Sequence, residues 1–161
     1  ELFRQAPDQG VAFTRLRDVL NQAGQLQLCH PCPSSWGQGG FHNYWLNDTN
    51  AWIVPEWERA SAAMVDRCSR GVGRERDLEL LQQAARELLL AQSSDWSFIL
   101  RAGTTTELAR ERVKRHLGRF WLLIQAIETG DELPDNWMKD VQQDDRLFPL
   151  IQPLDWAQVG S

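Results

Sequence analysis

Cysteine and histidine are scarce in this chain, and runs of positive charge are absent. Its 161 residues hold three cysteines, Cys29, Cys32 and Cys68. Three thiols cannot make a disulfide framework. An odd number without a secretory signal reads as a reducing compartment, the cytoplasm. The net charge is −5. The most basic short stretch, RERVKRH from Arg110 to His116, contains its own glutamate. Binding to nucleic acid by neutralising phosphates is therefore disfavoured. No apolar run approaches the roughly 18 residues of a membrane span, and no basic-then-apolar start marks a signal peptide. Also missing are a nucleophile elbow, a phosphate-cradling glycine loop and an H-E-x-x-H metal motif. No cofactor and no bound metal is expected.

What remains is a soluble globular composition, with 42% hydrophobic and 24% charged residues. The length suits one domain with a real core, so residues 1–161 are taken as a single helical domain. The reading along the chain is mainly α. Phe13, Leu16, Val19, Leu20 and Ala23 recur at helical spacing, and Gly24 ends that helix. LQLC, residues 26–29, is a short β-like stretch, broken by Pro31 and Pro33. Residues 34–49 are rich in Gly, Asn, Ser and aromatics and read as a long ordered loop, a kind more often functional than a short connection. Helices follow: one with Pro55 near its start, one repeating Leu78, Leu81, Ala85, Leu88 and Leu89, and a short one over DWSFILRA ended by Gly103. The clearest is capped by Thr104 or Thr105, marked by Leu108, Arg112, Leu117, Phe120, Ile124 and Ile127, and closed by Gly130. Another opens at Pro134, and the FPLIQPLDW tail is extended and apolar. The expected architecture is a helical bundle of about five or six helices, with a long aromatic and Gly-rich loop near the N-terminus.

Cys29-His30-Pro31-Cys32 has the spacing of a redox pair or half a metal knuckle. A low-pKa thiol needs a helix starting just after it, and Pro33 with a glycine-rich loop follows instead. Structural zinc needs four ligands, and no second pair is present. The favoured reading is a buried Cys29 ending a strand and an incidental Cys32. Of the eight tryptophans, Trp52, Trp121 and Trp137 sit at helical positions and read as core. Trp36 and Trp45 stand in the polar loop, where Gly37, Gly39 and Gly40 let the backbone turn sharply. Asn43, Asn47, Asp48 and Asn50 supply polar groups nearby. Indole faces beside amides and carboxylates suit a sugar ring, although both rings could equally plug the loop onto the bundle. Ser93-Ser94-Asp95-Trp96 reads as a helix start, with a capping serine, an acid at the positive end and a packing indole. Glycoside chemistry needs two flanking carboxylates. Asp48 and Asp95 are the least ordinary of the 22 acids, and they do not form a convincing pair.

SSWGQGGFHNYWLNDTNAW (residues 34–52), ELLLAQSSDWSFIL (residues 87–100), the TTTELARERVKRHLGRFWLLIQAI helix and the LFPLI tail resemble, in that order, the helical C-terminal domain of family 57 glycoside hydrolases. The similarity is greatest to the α-1,4-glucan branching enzymes. The resemblance implies a (β/α)7-type catalytic barrel joined to this domain. It also implies retaining transfer of α-1,4-glucan segments to α-1,6 branches. The nucleophilic glutamate and acid/base aspartate of that family lie on the barrel. Its two cleft tryptophans fall on Trp36 and Trp45, and its S-S-D-W motif on Ser93 to Trp96. The substrate-binding residues implied are Trp36, Trp45, Asp95 and Trp96, with none catalytic. The implied partners are an α-1,4-glucan and the barrel, with no nucleic acid and no membrane. Glu1-Leu2-Phe3 is similar to the start of a family stretch just after the catalytic aspartate, but Arg4-Gln5-Ala6-Pro7 then departs from it. With both barrel acids outside the chain, these residues alone are expected not to turn over glucan. A purely structural domain of a family 57 amylase or glucanotransferase is the alternative, and an independent C-x-x-C module a third.

Overall fold

Leucines and alanines spaced three and four apart form the main contact of the molecule. The computed structural model describes residues 1–160. It divides into two compact units, residues 1–33 and the remainder from Ser34 on. The first unit contains α1 (Leu2–Gln5) and α2 (Leu16–Gln22). The expected apolar face of α2 is not buried: Phe13, Leu16, Val19 and Leu20 are all exposed. The β-like stretch at residues 26–29 is not a strand, and residues 26–32 carry no regular structure. A lone extended segment has no ladder partner, so β propensity alone cannot hold it.

The second unit is a bundle of α3 (Ile53–Ser69), α4 (Glu75–Ala91), α5 (Ser94–Ala102), α6 (Thr106–Thr129) and α7 (Trp137–Asp144). All regular structure among the described residues is helical, with six α-helices of seven residues or more and a single turn at Leu2–Gln5. No helix is long and apolar enough to cross a membrane. On α4, Leu81, Ala84, Ala85, Leu88 and Ala91 are buried. On α6, Ala109, Val113, Leu117, Phe120, Leu123, Ile124 and Ile127 are buried. Both rows follow the 3.6-residue period, and the two helices pack along each other. Ile53, Ala60 and Met64 of α3 close the same core. Each large side chain so buried contributes roughly 1.5–3 kcal/mol. Pro55 lies in the first turn of α3, where its missing N–H breaks no helical bond.

Some helix ends differ from expectation. Thr105 is the N-cap residue of α6 and Ser93 that of α5, yet neither side chain caps its helix. Ser93 Oγ donates instead to Asp95 Oδ2 at 2.9 Å. Leu108 falls outside the buried row of α6 and is exposed. The tail is not extended throughout: Pro153–Gly160 forms 3-10 turns against α3, with Ile151 and Trp156 packed on the core.

Candidate functional site

The loop before α3 is pinned by its own polar groups. Ser35 N donates to Gly40 O at 2.6 Å, and His42 N donates to Ser35 Oγ. Gly37 sits at φ 112°, and a Cβ there would lie 3.0 Å from Tyr44 Cδ2. Only glycine meets both conditions. The loop's far end is held by Asn50, which is 1% exposed. Its Oδ1 accepts from Asn47 N at 2.8 Å, and its Nδ2 donates to Tyr44 O at 3.1 Å and to Ser97 O of α5 at 3.2 Å. Asn47 is likewise committed to Asn43 and Thr49. Two amides read as polar groups near the indoles therefore build the loop instead, and for the buried Asn50 an amide without partners would be costly.

These ties place aromatic rings over α5. Trp36 and Trp45 have centroids 5.9 Å apart with planes tilted 38°. Phe98 lies 6.1 Å from Trp36 and 6.2 Å from Trp45. Tyr44 stacks on Phe98 at 5.1 Å and 18°, and Arg101 reaches over Tyr44 at 6.0 Å. Trp36, Trp45, Ser94, Asp95 and Phe98 line an open depression of about 370 Å³. That volume falls within the range of about 300–1,000 Å³ usual for small-molecule sites. Trp36 is 68% exposed, and the Asp95 carboxylate is open to solvent. Trp52, Trp57, Trp96, Trp121, Trp137 and Trp156 all pack on the core instead.

Three of the four residues singled out in the sequence thus meet at one place. Trp96 does not join them. It is one residue beyond Asp95, about 100° around the helix, and its Nε1 donates to Leu90 O at 2.7 Å. It braces α5. Phe98 was missed, although the signal was available: it stands four residues after Ser94 and three after Asp95, on one helix face. Asp48 is exposed but lies outside the depression.

A second polar assembly lies inside the bundle, and no sequence motif announced it. Glu87 and His116 are 0% and 2% exposed. Glu87 accepts from Gln83 Nε2 at 2.8 Å and contacts His116 Nδ1 at 2.7 Å. Arg119 donates to Asp145 at 2.6 Å and to Asp144 at 2.7 Å, and it lies 3.9 Å from Glu87. The Arg119 hydrogen bond holds the Asp144 carboxyl below its ordinary range. Glu87, His116 and Asp145 converge closely enough to hold a cation. The Arg119 guanidinium already supplies positive charge to both carboxylates, so the cluster serves to tie α4, α6 and the end of α7 together.

Cys29 and Cys32 are both exposed and unpaired. This corrects the expectation of a buried Cys29 ending a strand. Their segment has no sheet to enter, and no helix begins just after it. Cys68 is buried on α3. Burial pushes its thiol pKa up, opposed by the nearby Arg67 charge.

Relatives place this geometry in a family. Residues 56–156 match the model of the 1,4-alpha-glucan branching enzyme C-terminal region. A curated 1,4-alpha-glucan branching enzyme of Thermococcus kodakarensis is 40% identical over 150 residues, covering 89% of this chain and 22% of that protein. Its crystal structure, a family 57 branching enzyme in complex with glucose, superposes with a TM-score of 0.83 over 94% of this chain and 28% of that one, at 27% identity. The family 57 branching enzyme of Pyrococcus horikoshii superposes at 0.85 with 26% identity, over 96% of this chain and 30% of that one. An α-amylase of Thermotoga maritima superposes at 0.70 with 29% identity, over 89% and 26%. The chain thus spans under a third of each relative's length. It belongs to the family of the C-terminal region of 1,4-alpha-glucan branching enzymes.

Proposed function

We propose that this chain is the helical domain that forms part of the substrate cleft of an α-1,4-glucan branching enzyme, supplying aromatic contacts to the glucan but not the catalytic carboxylates. The observation that carries this reading is the sorting of the tryptophans. Six pack on the core, while Trp36 and Trp45 stand together over a depression that also holds Asp95. An indole face covers the C–H side of a pyranose ring, and a carboxylate beside it accepts hydroxyl hydrogen bonds. Such a surface offers a single carboxylate and no acid pair, so its work is to hold a glucan chain in place for chemistry done elsewhere. Positioning of this kind contributes to rate by lowering the entropic cost of bringing reactants together. The chemistry would be the retaining transfer of an α-1,4 segment to an α-1,6 branch. It would be carried by a glutamate and an aspartate on a (β/α)7-type barrel, against which these residues would form the C-terminal domain. The lengths of the relatives support this placement.

Titration of the chain with maltoheptaose tests the reading, with tryptophan fluorescence as the readout. Saturable quenching is expected. Trp36→Ala or Trp45→Ala removes one stacking face, which contributes roughly 1–2 kcal/mol. Binding should therefore weaken about five- to thirtyfold, with the denaturation midpoint little changed. A wild-type chain that gives no saturable change would reduce the domain to a structural role.

A further inference from the structure

The loop's hydrogen bonds place the two indoles over α5, but none of them reaches an indole ring. That loop has positive φ at Gly37, Gly39, Gly40 and His42, and its polar ties end at Ser35 and Asn50. Neither indole makes a side-chain hydrogen bond that would set its plane, whereas Trp57 and Trp96 each do. What both rings share is Phe98. The centroid separations among Trp36, Trp45 and Phe98 are 5.9, 6.1 and 6.2 Å, close to an equilateral triangle. Phe98 makes nearly equal angles with the two indoles, 40° and 41°. Phe98 also stacks on Tyr44 at 18°, Tyr44 itself lies 6.1 Å from Trp36, and Gly37 is bare where the Tyr44 ring passes. The helix beneath is tied to the loop: the residue before Phe98, Ser97, is buried and its carbonyl accepts from Asn50 Nδ2 at 3.2 Å.

We propose that Phe98 is a positioning residue that sets the angle between Trp36 and Trp45, and that this angle makes the site selective for a curved glucan over a flat one. The inference rests on the glucan-binding reading above. In an α-1,4-linked chain each glucosyl unit is rotated relative to the last, so successive rings present tilted faces. A β-1,4-linked chain is a flat ribbon whose faces suit coplanar aromatics. Rings held at 38° fit the first and leave a gap under the second, and a gap forfeits dispersion contacts. A leucine at position 98 would keep much of the apolar volume but has no plane with which to align the indoles.

The test compares Phe98→Leu, Phe98→Tyr, Trp45→Ala and wild-type chain, with maltoheptaose and cellohexaose as probes. Two readouts are used: affinity from fluorescence titration, and the exciton couplet of the paired indoles in circular dichroism, identified by its loss in Trp36→Phe. Wild type should show the couplet and prefer maltoheptaose. Phe98→Leu should lose most of the couplet and bind maltoheptaose about tenfold more weakly. Cellohexaose affinity should fall by less, so that the preference narrows, and the denaturation midpoint should be retained. Phe98→Tyr should restore both readouts. If Phe98→Leu keeps the couplet and the preference while Trp45→Ala abolishes binding, the glucan reading stands and the role of Phe98 is refuted. If wild type itself does not bind maltoheptaose, the glucan reading fails and the selectivity falls with it.

Discussion

Replacing Glu87 by alanine should be among the most damaging single changes available in this bundle. The carboxylate is fully buried and has two close partners, Gln83 Nε2 at 2.8 Å and His116 Nδ1 at 2.7 Å. Alanine removes both bonds, strands two buried donors and leaves a cavity. Breaking a buried pair by removing one partner costs about 3–5 kcal/mol. With a urea dependence of about 2 kcal/mol per molar, the unfolding midpoint should fall by roughly 1.5–2.5 M. The double variant Glu87→Leu with His116→Leu should behave differently. It removes both members and fills the space, while Arg119 stays bonded to Asp144 and Asp145. The double should therefore lie above the single variant in stability, because the space is filled and only the Gln83 amide then lacks its partner. The double-mutant cycle is read by urea denaturation followed by circular dichroism. Two outcomes refute the reasoning: a cost below about 1 kcal/mol for Glu87→Ala, or a double variant as unstable as the sum of both single changes.

Two further perturbations probe the loop and the thiols. Gly37→Ala places a methyl group against Tyr44 Cδ2 at 3.0 Å in a left-handed backbone. It should cost about 1–3 kcal/mol of local strain and weaken maltoheptaose quenching without lowering the helical signal. Unaltered quenching would show that the Tyr44–Phe98 stack does not need the bare glycine. In a thiol titration of the folded chain, the exposed Cys29 and Cys32 should react at once. Cys68, buried and with its pKa raised by that burial, should wait for local opening, since the thiolate is the reactive species. Three equal rates would contradict its placement in the core.

The helices α3 to α6 were legible because their signals are local. The apolar spacing of α4 and α6 repeats within a few turns, and Gly103 and Gly130 close α5 and α6 where the sequence placed their ends. The expectations that failed depended on distant partners. LQLC has strand-like residues but nothing to pair with. Asn50 looks like a ligand group until its three partners, one of them on α5, are known. Glu87 and His116 are 29 residues apart and sit on two different helices. Each alone reads as an ordinary surface residue of a helix, and only the packing of α4 against α6 brings them together in the interior.

The same contrast explains why the candidate site is divided between a loop and a helix. The loop supplies the indoles, and its hydrogen bonds fix its backbone without reaching the rings. The short helix α5 supplies the order. On one side, Ser97 and Leu100 are buried, and Trp96 bonds back to Leu90. On the opposite side, Ser94, Asp95 and Phe98 face the depression. Nine residues thus dock the candidate site on the core, bring Phe98 against both indoles and add a carboxylate. Sites built on helices hold their geometry better than sites on loops. By that argument, the SSDWSF segment is as much part of the proposed binding surface as the tryptophan loop above it, and Phe98 is where the two meet.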